Sequence, residues 1–114
     1  MKVAIIGSRN LMIEDLGKYI PSECTEIISG GAKGIDSCAA EYARENNYIL
    51  TEFLPQYDKY GRKAPIVRNY EIVAYSELVV AFWDGRSRGT RSVISYCKKT
   101  GKPYNVIIMK KEAY

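Results

Sequence analysis

Five short apolar runs, all but the last followed by a stretch with helical spacing, constrain this chain more than any other feature. KVAIIG (2–7), TEIIS (25–29), YILTEFL (48–54), ELVVAFW (77–83) and YNVIIM (104–109) have strand length and end at Gly, Pro or polar residues. Between them, Met12, Leu16, Tyr19 and Ile20 recur at helical spacing and Pro21 closes the segment. Ile35, Cys38, Ala39, Tyr42 and Ala43 form an i, i+3, i+4, i+7, i+8 stripe. After a polar loop over 55–65, Pro65 opens a helix whose apolar positions are Ile66, Tyr70, Val73 and Ala74. Val93, Ile94 and Cys97 belong to a last helix, ended by Gly101 and Pro103, and KKEAY reads as a solvated tail. The βαβαβαβαβ order, with short connections and strands apolar on both faces, predicts one doubly wound, Rossmann-like α/β domain over residues 1–114. Its five-stranded sheet is expected to be mostly parallel, with helices on both faces and right-handed crossovers.

Composition narrows the chemistry. The 114 residues contain no histidine, which removes Ser-His-Asp and Cys-His triads, HExxH zinc sites and any imidazole base. Cys24, Cys38 and Cys97 are far apart without a CxxC, as expected of buried reduced thiols, and no metal site or cofactor is expected. No apolar run approaches the roughly 20 residues of a membrane span, and the N-terminus reads as a first strand rather than a signal peptide. A cytoplasmic protein with no membrane partner is the expectation.

In a sheet of this kind ligands bind beyond the carboxyl ends of the strands, near the switch in strand order. The loops there are GSRN (7–10), SGGAKGID (29–36), PQYDKYGRKAP (55–65) and WDGRSRGT (83–90). Gly30 and Gly31 permit close approach to the backbone, and Gly34 opens a helix whose free N–H groups favour an anion. Asp36 lies in the first turn, where a carboxylate steadies the helix or accepts from a ribose hydroxyl. A tight βα turn is the plainer account of the same glycines. Gly89 and Thr90 open the last helix, with Arg86, Arg88 and Arg91 crowding its positive end, an arrangement that an arriving anion would relieve.

Counting these loops and Arg68, the edge carries Arg9, Lys33, Lys59, Arg62, Lys63, Arg68, Arg86 and Arg88 against Asp36, Asp58 and Asp84. With a net charge of +4 for the whole chain, this points to a small anionic ligand more than to a polyanion footprint. Tyr57, Tyr60 and Trp83 are candidates for stacking on a base, with packing as the plainer role, above all for Trp83 at the end of a core strand.

GSR after the first strand, SGGAKGID, Arg68-Asn69 entering the third helix and the late Gly89-Thr90 together resemble the SLOG superfamily. That superfamily joins the DNA-processing protein DprA/Smf with the LOG phosphoribohydrolases, and the chain most resembles its small stand-alone YpsA-like or YspA-like members. The resemblance covers nearly the whole chain and implies a Rossmann-like fold that binds nucleotides, nucleotide-derived signals or single-stranded DNA. LOG enzymes cleave the N-glycosidic bond of nucleoside 5′-monophosphates with a helix Arg and the Glu of PGGxGTxxE. Arg68 matches the Arg, but Val93 stands at the Glu position and WDG replaces PGG. Valine cannot activate water, so Asp36 or Asp84 would have to supply the carboxylate.

The expected function is binding of a nucleotide or nucleotide-derived ligand, as a sensor, carrier or sequestering protein. The alternatives are an N-glycosidic hydrolase of nucleoside monophosphates or ADP-ribose-like compounds, with Arg68, Asp36 and Asp84 as catalytic candidates, and a DprA-like single-strand binder. The expected ligand contacts are Gly7, Ser8, Arg9, Ser29, Gly30, Gly31, Ala32, Lys33, Gly34, Asp36, Arg68, Asn69, Trp83, Asp84, Gly85, Ser87, Gly89 and Thr90. Taking about 100° per residue, Arg68 falls opposite Ile66, Tyr70 and Val73, so it is expected to point off the core and reach the site edge or a neighbouring subunit's pocket. A face bearing Arg68, Ile72 and Tyr75 is then a candidate interface for a homodimer or higher homo-oligomer.

Overall fold

The computed structural model describes residues 1–110, so most of the KKEAY tail lies outside the described residues. Strands β1 (Lys2–Gly7), β2 (Glu26–Ser29), β3 (Ile49–Glu52), β4 (Leu78–Trp83) and β5 (Tyr104–Ile108) form one sheet in the order β3-β2-β1-β4-β5. Every pairing is parallel. Helices α1 (Ile35–Glu45), α2 (Tyr57–Tyr60), α3 (Ala64–Tyr75) and α4 (Arg88–Thr100) connect the strands. The strand order reverses between β1 and β4, which makes their carboxyl ends the topological switch point.

Side-chain alternation along β1 sorts the core into two layers. Val3 and Ile5 pack with Ile27, Val80 and Phe82 under Ile35, Ala39 and Ala43 of α1. Ala4 and Ile6 pack with Ile28, Val79 and Ala81 against Ile72 and Val73 of α3 and Val93, Ile94 and Cys97 of α4. Phe82 is fully buried and meets Tyr19 edge-on at 5.2 Å, so its truncation to alanine would cost about 3–5 kcal/mol. The edge strands are less enclosed than their apolar sequences predict, with Ile49 and Ile108 both more than half exposed. Cys24, Cys38 and Cys97 are free and buried, and burial pushes the Cys24 and Cys97 thiols up. No helix among the described residues is long and apolar enough to cross a membrane.

Three local expectations change. The helix expected over Met12–Ile20 reduces to a 3-10 turn, Leu16–Tyr19. Leu11 and Leu16 both enter the core, and residues five apart lie about 140° around an α-helix, so one helix cannot bury both. Gly17 also brings the turn against Tyr42, whose hydroxyl would lie 2.7 Å from a Cβ there. The loop over 55–65 contains α2 and a 3-10 turn, Gly61–Lys63.

The largest correction concerns α3. Its buried residues are Ala64, Arg68, Ile72 and Val73, an i, i+4, i+8, i+9 face with a cation in the middle. Ile66 and Tyr70 face outward instead, Tyr70 stacking on Tyr96 of α4 at 4.3 Å. Arg68 and Ile72 are therefore unavailable as the subunit interface expected from sequence. A guanidinium occupies the inward face because, as follows, carbonyl groups await it there.

Candidate functional site

A cleft of about 410 Å³ opens at the switch point, beyond the carboxyl ends of β1 and β4. Gly7 pairs in register with Phe82, the Ser8 N–H donates to the Phe82 carbonyl at 3.1 Å, and the Asp84 N–H donates to Ser8 Oγ at 3.4 Å. These bonds lock the two loops side by side. Among the expected residues, Gly7, Ser8, Arg9, Gly30, Ala32, Asp36, Arg68, Asn69, Ser87, Gly89 and Thr90 line the cleft.

Arg68 reaches its floor from α3 with 8% of its surface exposed. Nη1 donates to the Gly30 carbonyl at 2.6 Å and to the Phe53 carbonyl at 3.4 Å, and Nε donates to Asn69 Oδ1 at 2.9 Å. The guanidinium thus ties the exits of β2 and β3 together. Burial pulls its pKa down, while neighbouring Asp36 opposes that shift. Nη2 makes no hydrogen bond among the described residues, and no side-chain nitrogen or oxygen sealed from water there lacks a partner. Nη2 is therefore open to solvent, on a residue that lines the cleft.

Asp36 is enclosed to a similar degree, 7% exposed. Its Oδ2 accepts the Ala32 N–H at 3.1 Å, and Oδ1 has no partner among the described residues. By the same reasoning Oδ1 is open to water. Burial raises the Asp36 pKa, opposed by the Ala32 hydrogen bond and by the charges of Arg68 and Arg9, with Glu52 adding to the rise. Gly30 separates acid from base: a Cβ there would lie 2.8 Å from Arg68 Nη1 and 2.9 Å from Asp36 Oδ2. The two side chains stop short of ion-pair distance, the one ion pair among the described residues being Lys18–Asp15.

The opposite wall is the N-terminus of α4. Asp84 Oδ1 accepts the Ser87 N–H at 2.7 Å and the Arg86 N–H at 2.8 Å, which turns the chain into the helix. Those bonds, Ser87 first, hold the Asp84 carboxyl below its usual range. Ser87, at the N-cap, spends its hydroxyl on Thr90 Oγ1 at 3.4 Å, and no side chain caps the first turn. Arg91 makes the first backbone donation, to the Ser87 carbonyl, and the N–H groups of Arg88, Gly89 and Thr90 have no partner among the described residues. Gly89 has no positive φ, and a Cβ on it would meet nothing within 4 Å.

Other expected contacts lie outside the lining. Ser29 is fully buried, donates to the Asp36 carbonyl at 3.3 Å and accepts the Gly31 N–H at 3.2 Å, so it shapes the turn. Gly31 has φ +71° and faces Leu54 rather than the cleft. Gly34 has φ +73° and lets α1 sit against the Ser8 and Arg9 carbonyls. Lys33 and Gly85 are exposed at the surface. Trp83 Nε1 donates to the Ser87 carbonyl at 3.0 Å, under Arg91, which agrees with the packing role. Tyr57 and Tyr60 also stand clear of the lining.

The cleft includes residues not expected there: Ile6, Asn10, Pro65, Ile72 and Val93. Asn10 closes the GSRN loop and Pro65 marks the start of α3, both readable signals. The aliphatic floor of Ile6, Ile72 and Val93 carries none, because in sequence those residues look like any core positions. Comparisons of the chain with protein-family models, curated proteins and solved structures find no match, so the chemistry of the cleft has to be read from its own atoms.

Proposed function

We propose that the cleft binds a nucleotide or nucleotide-derived phosphate ester, with the chain acting as a sensor, carrier or sequestering protein. The observation that carries this is a buried guanidinium with a free Nη2 in the same cleft as Gly89 and Thr90, whose N–H groups at the start of α4 have no partner among the described residues. Helix N-terminal amides and a desolvated arginine are both strong anion donors, and phosphate satisfies both at once. The likeness of GSR, SGGAKGID, Arg68-Asn69 and Gly89-Thr90 to the SLOG superfamily supports the same reading. An N-glycosidic hydrolase draws less support. Val93 contributes an apolar surface where LOG enzymes carry their carboxylate, and Asp84 Oδ1 is held by two backbone amides outside the lining.

Calorimetry with nucleoside 5′-monophosphates and the matching nucleosides tests the proposal on wild-type protein and Arg68→Met. The monophosphates are expected to bind wild type and to lose about 1.5–3 kcal/mol in the variant, the worth of a hydrogen bond to a charged group. Nucleosides that bind as well as their phosphates, with equal losses in the variant, would refute a phosphate site.

A further inference from the structure

The donors just described explain an anion but leave Asp36 unexplained. A free phosphate in this cleft would sit near a carboxylate whose charge repels it. The carboxylate is held in place by the Ala32 N–H at Oδ2, and Gly30 lacks the Cβ that would crowd both Asp36 and Arg68. Oδ1 remains an unpartnered acceptor on a side chain more than nine-tenths buried in the cleft lining. Oδ1 is not sealed from solvent, so a donor that enters the cleft can reach it. Arg68 and Arg9 act on it with positive charge and Glu52 with negative charge, and none of the three donates a hydrogen bond to it.

We infer that Asp36 is a specificity residue that accepts a hydrogen bond from a sugar hydroxyl, so the site takes ribose phosphate esters in preference to analogues lacking that hydroxyl. This rests on the phosphate-site reading above and names the part of the ligand beyond the phosphate. The cleft offers its phosphate donors at the start of α4 and on Arg68, and this acceptor lies next to Arg68 across Gly30. A ligand therefore needs an anionic end and a neutral donor next to it, which a phosphorylated ribose provides. An inorganic anion has only the first.

The four ribonucleoside 5′-monophosphates and their 2′,3′-dideoxy counterparts, titrated into wild type, Asp36→Asn and Asp36→Ala, test this. Circular dichroism checks that each variant folds, and asparagine keeps an acceptor for the Ala32 N–H. Wild type is expected to prefer the ribonucleotide by about ten- to a hundredfold, the worth of one charge-assisted hydrogen bond. That preference should collapse toward unity in the folded variant, while the dideoxy ligand binds it at least as well as it binds wild type. Equal binding of the two ligand series to wild type overturns the assignment while sparing the phosphate site. An undiminished preference in folded Asp36→Asn also overturns it. If no monophosphate binds wild type, the phosphate site falls and this inference falls with it.

Discussion

Gly89→Ala separates a glycine kept for the fold from one kept for a ligand. Position 89 lies in the first turn of α4, has no positive φ, and has open space where a Cβ would go. Nothing in the fold asks for glycine there. Alanine restricts the unfolded chain and suits a helix better, so the substitution is expected to stabilise the protein by about 0.5–1 kcal/mol. For a domain of this size that raises the melting temperature by about 2–8 °C. The new methyl group would intrude on the approach to the free amides of the α4 first turn. Displacing a phosphate from one of them should weaken nucleotide binding by about 1.5–3 kcal/mol, roughly ten- to a hundredfold. Differential scanning fluorimetry without ligand reads the first effect and calorimetry with a nucleoside monophosphate reads the second. The two effects are expected to have opposite signs. A variant that gains stability and binds unchanged would show that no ligand approaches Gly89, and one that loses stability would show that the fold does need glycine there.

Gly7→Ala should behave the other way, since its Cβ would lie 2.5 Å from Ile35 Cγ1 and 2.6 Å from the Phe82 carbonyl oxygen, neither free to move. A loss of about 1–3 kcal/mol in urea denaturation is expected, and an unchanged midpoint would show that α1 can slide away from β1. Asp36→Asn should also reveal the buried charge through pH. A carboxyl raised by burial holds its proton more tightly folded than unfolded, so its contribution is full below the unfolded pKa and is lost as pH rises through the folded one. The variant should therefore melt above wild type at neutral pH, and that gap should close below the ordinary carboxylate range near about pH 4. A gap that widens in acid would contradict the assigned direction.

Much of the architecture is legible because apolar period and glycine placement act locally. Ile35, Cys38, Ala39 and Ala43 of the α1 stripe and the Val93, Ile94, Cys97 face of α4 bury as their spacing predicts, Tyr42 is half-buried, and Gly101 ends α4 in the left-handed region. The place of Arg68 in the site was legible, but its burial was not, for a definite reason. Hydrophobic periodicity assigns a charged residue to the outside, and only the tertiary position of the Gly30 and Phe53 carbonyls reverses that. Gly31 and Gly34 look like ligand-facing glycines in sequence, yet their positive φ serves the turn and the approach of α1 to the GSRN loop. Which glycines face a ligand is decided by neighbours far along the chain. Spacing cannot report them.

The central place of β1 has a consequence for the order in which this chain acquires its properties. The earliest of the five strands along the chain is flanked by β2 and β4, and residue 8 meets residue 84. A nascent chain that ends before the first turn of α4 already contains β1, α1 and Arg68, yet lacks one wall of the cleft. A ligand bound as proposed would then stabilise only chains that have reached that point, by mass action on the finished domain, and would give truncated products no protection. In a cell that clears unfolded chains, the ligand concentration would set the abundance of completed molecules while leaving fragments to the proteases.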